Sequence, residues 1–558
     1  MAIASHPTPS FSPSFCSTRT QFSRLSCFPS VTLSQSRSNQ TRRLISSRLN
    51  SSKFSDADGS VSPGKGDFPY ELQHDFSPQR QRRGSPVYVT LPLDSVDEEG
   101  RALRLKILMA SFRALALAGV EGVVLEIWWG LVERNEPMVY NWRGYCQLVK
   151  LAGTFGLKVR VVLAFHQCGT DPGDPHWIPL PLWVLDEIKK DPDLVYSDRF
   201  GTKSAEYISL GCDALPVLCG RSPIQAYADF MRNFRDTFRP YFGIIITGIQ
   251  IGMGPGGELR YPLCPSQLTH DRHSEFGEFQ CYDKYMIASL NACARDIGMP
   301  AWGQGAPRDT GSSRHNLFST SENGKDPWNS PQGEYRPWNL PEGRFFLEWY
   351  SGMLLLHGQR ICREAETIFR GTEVNISAKV AAIHWHYLTD SHASELTAGY
   401  YNTSERDGYL PIARMFSKYG FGICCSGFEM QDAVVNKINP AGSPEGFLKQ
   451  LLLAARLCDM QLEGQNFSSN LNDISFEQVL KMSKFYTEGV EKRPFSFNFV
   501  RMGRKMFGSR FWDRFTRFVR QLSDGSNFQA RLNSVCDARH KCLTMARAAE
   551  PGVLYQHC

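Results

Sequence analysis

From Pro86 onward the chain alternates short, nearly continuous apolar runs with stretches in which apolar residues recur every three or four positions. PVYVTLPLD (86–94) and GVVLEIWWG (122–130) flank a segment, 101–120, whose Leu, Ile, Met and Phe fall at helical spacing. A second helical segment around 145–155 leads into LKVRVVLAFHQCG (157–169). Strand, helix, strand at this spacing predicts a parallel sheet, because strands covered by helices need no polar alternation. A helix over 223–241 then feeds the apolar run 244–251. Later strand candidates are 373–387, 421–429 and 457–466, with helices near 345–369, 396–419 and 446–456. These make seven strands, and a weaker one near 300–303, fifth in order, makes eight. Eight βα units predict an α/β fold, a (β/α)8 TIM barrel with long loops over its C-terminal face.

The text before residue 56 is different. Its 55 residues hold six Arg, one Lys and 16 Ser, with no acid before Asp56. An acid-free Ser/Arg bias without an apolar core is expected of an organelle transit peptide, here plastid (stromal), rather than of a secretory signal. A disordered basic tail is the plainer alternative. Residues 56–84 read as a disordered linker, 85–535 as the barrel and 536–558 as a C-terminal tail. The whole chain carries +6 and the first 55 residues +7, so the remainder is about −1 and nucleic acid is not an expected partner. No stretch approaches the roughly 20 apolar residues a membrane helix needs, so no membrane partner is expected either. The 16 Cys form no C-x-x-C pair and no alternation with His. Scattered thiols are mostly small buried hydrophobes, so neither a metal, a cofactor nor a disulfide framework is expected.

In a barrel, chemistry sits at the carboxyl ends of the strands. The run 244–251 breaks into Gly252, Gly254, Gly256 and Gly257, and Glu258 follows at once. A carboxyl placed there and kept protonated by apolar surroundings would serve as a general acid; taken alone, a solvated loop Glu is an equal reading. Other strand ends bring Glu126 before Trp128 and Trp129, His166 before a loop closing on Asp174, Lys379 with His384, Ser426 with Glu429, and Gln465 with Asn466. Each has a bland alternative: core tryptophans, a structural histidine, an ion-paired lysine. Their convergence suits a sugar, because aromatic faces stack on pyranose rings while carboxylates, amides and cations bind hydroxyls.

At these residues the sequence resembles the plant β-amylases, glycoside hydrolase family 14, over about 86–501. GPGGELRYP matches the family's GPAGELRYP and places the catalytic acid on Glu258. FHQCGTDPGD resembles the lid text FHQCGGNVGD, which implies His166 and Asp174 as sugar contacts. AKVAAIHWHY corresponds to IKVSGIHWWY, implying Lys379 and His384. ELTAGYYNTSERDGYLPIARMF is close to the family without a gap, SGFEMQD stands for TCLEMRD with Glu429, and FVRM supplies Arg501. The resemblance implies the same barrel, with α-1,4-glucan (starch, maltooligosaccharides) as ligand and maltose release from non-reducing ends, with inversion, as activity.

The departures cluster in that site. An inverting glycosidase needs a protonated acid and an ionised base. The family's base lies in GENAL; here the text is GQNFS, and the base position holds Gln465. An amide can orient water but cannot take its proton. The sugar-binding Asp becomes Glu126, the Thr that holds the base becomes Ser426, and the small alanine becomes Phe467. The lid gains Pro172 and Thr170, both stiffening. Glu463, two residues before Gln465 on the same strand face, lies about 7 Å along the strand; a shifted register would let it reach the water as a substitute base, but it is expected deeper in the barrel, paired with a basic group. The sequence therefore predicts a glucan-binding or regulatory partner of other starch-degrading proteins, with little or no hydrolysis. A slow maltose-releasing hydrolase and a scaffold that binds only protein are the alternatives.

Overall fold

The computed structural model describes residues 84–169, 172–263, 277–307, 337–487 and 494–523. The chain divides into two units, 1–79 and 80–558, and every described residue lies in the second. The transit segment, the linker up to residue 83, Thr170 of the lid and the tail 536–558 lie outside the described residues.

Ten strands are described, which we number in chain order: β1 (Val87–Thr90), β2 (Gly122–Trp128), β3 (Lys158–Ala164), β4 (Val195–Ser197), β5 (Lys203–Ile208), β6 (Ile246–Ile251), β7 (Asn375–Val380), β8 (Gly422–Cys425), β9 (Leu462–Gln465) and β10 (Phe495–Phe499). All except β4 and β5 close into a parallel eight-stranded barrel in the order β1-β2-β3-β6-β7-β8-β9-β10. Strands β4 and β5 form an antiparallel hairpin beside it. Helices between consecutive barrel strands, such as Leu105–Leu117, Arg143–Thr154, Pro223–Phe238, Pro341–Phe369 and Pro444–Leu457, cover its outer wall. Both faces of each strand are thus removed from water, which is why the strands read as apolar runs.

Two expectations are corrected. No strand forms near 300–303: that stretch is the 3-10 helix Pro300–Gln304, opened by a proline that lacks a ladder donor. The eighth strand is β10, FSFNF, so Lys379, Ser426 and Gln465 stand on the fifth, sixth and seventh barrel strands. In β10 the phenylalanines face out, Phe497 against Phe518 and Phe499 against Phe515, while Ser496 and Asn498 face in toward Arg160. The segment 396–419 is not one helix but two, Ala393–Thr397 and Tyr409–Lys418, broken after Gly399 at φ +97°.

The barrel interior is more polar than its outer wall. Side chains alternate along a strand, so Arg160, Glu463, Ser496 and Asn498 share the inner face with Tyr88, Val124 and Val162. Arg160 lies over the Tyr88 ring at 4.0 Å, donates to Ser496 Oγ at 2.7 Å and stands 3.5 Å from Glu463 Oε1. Glu126, Lys379 and Gln465 follow two residues beyond Val124, Ser377 and Glu463, which brings them to the same interior at its carboxyl end.

Candidate active site

Strand β6 delivers Glu258 through a turn that needs glycine. Gly256 and Gly257 sit at φ +62° and +71°, a region costly for other residues. The Gly256 N–H donates to Glu206 Oε1 on β5 at 2.8 Å, and a Cβ on Gly257 would lie 3.3 Å from His166 Cε1. The turn is therefore pressed between the hairpin and the end of β3.

The Glu258 carboxylate is gripped by two cations. Arg260 Nε stands 2.8 Å from Oε2 and Lys379 Nζ 3.3 Å from Oε1. Burial pushes this carboxyl up most strongly, but Lys379 and Arg260 together outweigh it and hold it below the ordinary value. Two cations, rather than apolar surroundings alone, thus set the environment of this carboxyl, and they favour its charged form. Burial lowers His166 to about 3, with Arg260 and Lys379 adding repulsion, so its imidazole is neutral. Its Nδ1 makes no hydrogen bond within the described residues, and its ring meets the Trp128 edge at 5.1 Å.

At the position where the resemblance expects a base, the side chain of Gln465 is buried, and its Oε1 accepts a hydrogen bond from Ser426 Oγ at 3.3 Å. The serine at the threonine position therefore still reaches the residue after it in the site, but what it holds is an amide. Glu463 does not supply a substitute carboxylate at the cleft. It is buried against Arg160 and accepts from Asn498 Nδ2 at 3.5 Å, the pairing expected from its place on the strand.

The other predicted residues fall around this pair. Glu126 is held by Arg501 through two contacts, 2.7 and 3.2 Å, and Arg501 also donates to the Leu91 carbonyl. Glu429 Oε1 accepts from the backbone N–H groups of Phe467 and Ser468 at 2.8 and 2.6 Å, while its Oε2 has no hydrogen-bond partner among the described residues. Burial raises Glu429 above the ordinary carboxylate range, against the pull of those N–H groups. The Asn466 amide spans the backbone of Val500, accepting from its N–H at 2.8 Å and donating to its carbonyl. It fixes the approach to Arg501. Asp174 caps its own turn, accepting from His176 N at 2.8 Å, and its carboxyl lies over Gly169 at the foot of the lid. His384 is buried and stacked on Trp385, with ring centroids 5.0 Å apart.

Three readings change on contact with this geometry. Trp129 is not a sugar platform: it is wholly buried among Phe165, Trp183 and Tyr227, and its N–H donates to Glu133. Trp128 is likewise buried, serving as backing for His166. Phe467 is 43% exposed and so stands at the rim instead of filling the interior. Two residues were missed. Arg260 carried a signal, standing two positions after Glu258 in the quoted motif; Glu206, on a hairpin distant in sequence, carried none.

The ensemble is a polar, cation-bearing cleft at the carboxyl end of a parallel barrel, with the Glu258 carboxylate between two cations and the Gln465 amide bonded to Ser426. Among the described residues no group of His, Cys, Asp and Glu is arranged to hold a metal ion, and no helix is long and apolar enough to cross a membrane. A curated relative, β-amylase 1, chloroplastic, of Arabidopsis thaliana, is 46% identical over 79% of this chain and 76% of its own. A second Arabidopsis protein, inactive β-amylase 4, chloroplastic, is 38% identical over 78% of this chain and 82% of its own. Among solved structures, the catalytic domain of a β-amylase from Paenibacillus polymyxa superposes with a TM-score of 0.62 at 22% identity, covering 78% of this chain and 98% of that one, which shows the fold. The sequence profile of glycosyl hydrolase family 14 matches residues 88–527, and the chain belongs to that family, the β-amylases.

Proposed function

We propose that this protein is a plastid member of the family that binds α-1,4-glucan and has lost all or nearly all maltose release, acting in starch breakdown as a glucan-binding or regulatory partner. The observation that carries the reading is the buried Gln465 amide in the hydrogen bond from Ser426. Inversion requires a carboxylate to draw the proton from water, and an amide has no basic site near neutral pH. Two further features support it. Glu463 is bound to Arg160, and Glu258 is paired with Lys379 and Arg260, which favour its charged form. Retained glucan binding is supported by Lys379, Arg501, His166 and Glu429, which present cations, a neutral imidazole and a carboxylate to one cleft. Relatives named chloroplastic, at 46% and 44% identity, support a plastid location together with the Ser/Arg-rich first 55 residues; we assign the stroma. The competing reading, an active maltose-releasing enzyme, has in its favour the higher identity to the relative named β-amylase 1, chloroplastic, than to the one named inactive. Reducing-sugar release from soluble starch decides between them, and calorimetry with maltoheptaose tests the cleft as a binding site. Turnover near that of an active β-amylase overturns the loss of activity; absence of heat at millimolar maltoheptaose overturns the glucan-binding role.

A further inference from the structure

The hairpin of β4 and β5 presents an unusual surface away from the cleft. Its tip, SDRFG, carries Phe200 with 71% of its surface exposed. The tip is rigidly built. Asp198 Oδ1 accepts from the N–H groups of Phe200 and Thr202 at 2.9 and 2.8 Å, and Gly201 completes the turn at φ +82°. The Arg199 guanidinium lies over one face of the Phe200 ring at 4.6 Å. That guanidinium is itself fixed by Glu278, with contacts of 3.2 and 3.3 Å.

A singly exposed apolar side chain is ordinary at a protein surface, so exposure alone says little; what distinguishes Phe200 is that its position is fixed. Here the backbone turn and the cation together hold it out. A flat apolar face, rimmed by an Arg–Glu pair that can donate to and accept from hydroxyls, is the set of groups that recognises a pyranose ring. The hairpin also runs to the cleft: Glu206, six residues from Phe200 along the chain, accepts from the Gly256 N–H through its side chain and from the Gln167 N–H through its backbone carbonyl. At about 3.3 Å per residue the tip stands on the order of 20 Å from that end.

We propose that Phe200, Arg199 and Glu278 form a second α-glucan contact, outside the cleft, which binds a glucosyl unit of a long chain. This goes beyond the cleft reading and does not need Gln465 or Glu258. Two contacts on one rigid body raise the apparent affinity for a polymer that reaches both, while a short oligosaccharide meets only one.

The test uses the full chain. Affinity electrophoresis through gels containing amylopectin reads long-chain binding, and calorimetry with maltotriose reads the cleft. Phe200→Ala is expected to weaken amylopectin affinity about tenfold, what burying roughly 60 Å² of apolar surface corresponds to, with maltotriose binding unchanged. Phe200→Tyr should keep most of the wild-type retardation. Cleft binding intact with Phe200→Ala retarded as strongly as wild type overturns the second contact alone. Retardation lost equally in Phe200→Ala and Phe200→Tyr also overturns it, since an aromatic face would then not be what binds. Absence of both amylopectin retardation and maltotriose binding in the wild type overturns the second contact and the cleft reading together.

Discussion

Replacing Gln465 by glutamate returns a carboxyl to the inner end of β9, and the structure sets how much activity that can restore. A positioned general base contributes about 10²–10⁴-fold, roughly 3–5 kcal/mol of barrier. Two features favour the new carboxylate. Ser426 Oγ already donates to the Oε1 position at 3.3 Å, and a bond to a charged acceptor is stronger than one to an amide. Glu463, its neighbour on the same strand face, is neutralised by Arg160 and adds little repulsion. Two features oppose it. The site is only 6% exposed, so desolvation raises the new group's pKa and leaves part of it protonated at neutral pH. Lys379 and Arg260 favour the charged form of Glu258, which opposes the proton a general acid needs. The gain from Gln465→Glu alone should therefore fall near the lower end, about 10²-fold in maltose release from soluble starch. Adding Glu126→Asp, Ser426→Thr and Phe467→Ala should increase it more than additively, because groups that act on one transition state act as a unit. Glu258→Gln in that background should remove the gain. Wild-type turnover already equal to that of an active family member, or no gain in Gln465→Glu while maltoheptaose still binds, refutes the reasoning.

Glu463→Ala leaves the Arg160 guanidinium buried without its carboxylate and should destabilise the fold by about 3–5 kcal/mol in denaturant titration, whereas Arg160→Met with Glu463→Leu should recover most of the loss. Glu258 has a lowered folded pKa, so its ion triad stabilises the protein above the ordinary carboxylate value of 4.5 and that contribution is lost as pH falls below it. The stability difference between wild type and Glu258→Gln should accordingly shrink as pH falls below 4.5 in thermal denaturation. A fusion of residues 1–55 to a fluorescent protein should appear in plastids; cytosolic or nuclear fluorescence would remove the transit assignment.

The sequence by itself determined the barrel and the substitution at the heart of the site. Seven strands were legible because a parallel barrel strand is buried on both faces and leaves a continuous apolar run, as in VLEIW of β2 and VRVVLA of β3. β10 was not legible, because FSFNF alternates: its serine and asparagine face a barrel interior that Arg160 and Glu463 make polar, and only the closed barrel reveals that interior. Gln465 was legible because chemistry at the base position depends on residue type, and an amide is an amide in any fold. The charge state of Glu258 was not. Lys379 lies 121 positions away and reaches the carboxylate only because β6 and β7 are neighbours, and two cations within hydrogen-bond distance outweigh burial. The same limit hid Glu206, brought to the glycine turn by a hairpin, and misjudged Trp129, whose place in the core is set by Phe165, Trp183 and Tyr227 from three other segments. Local pattern reports which faces are dry; which charges and rings share a face is decided when the chain closes.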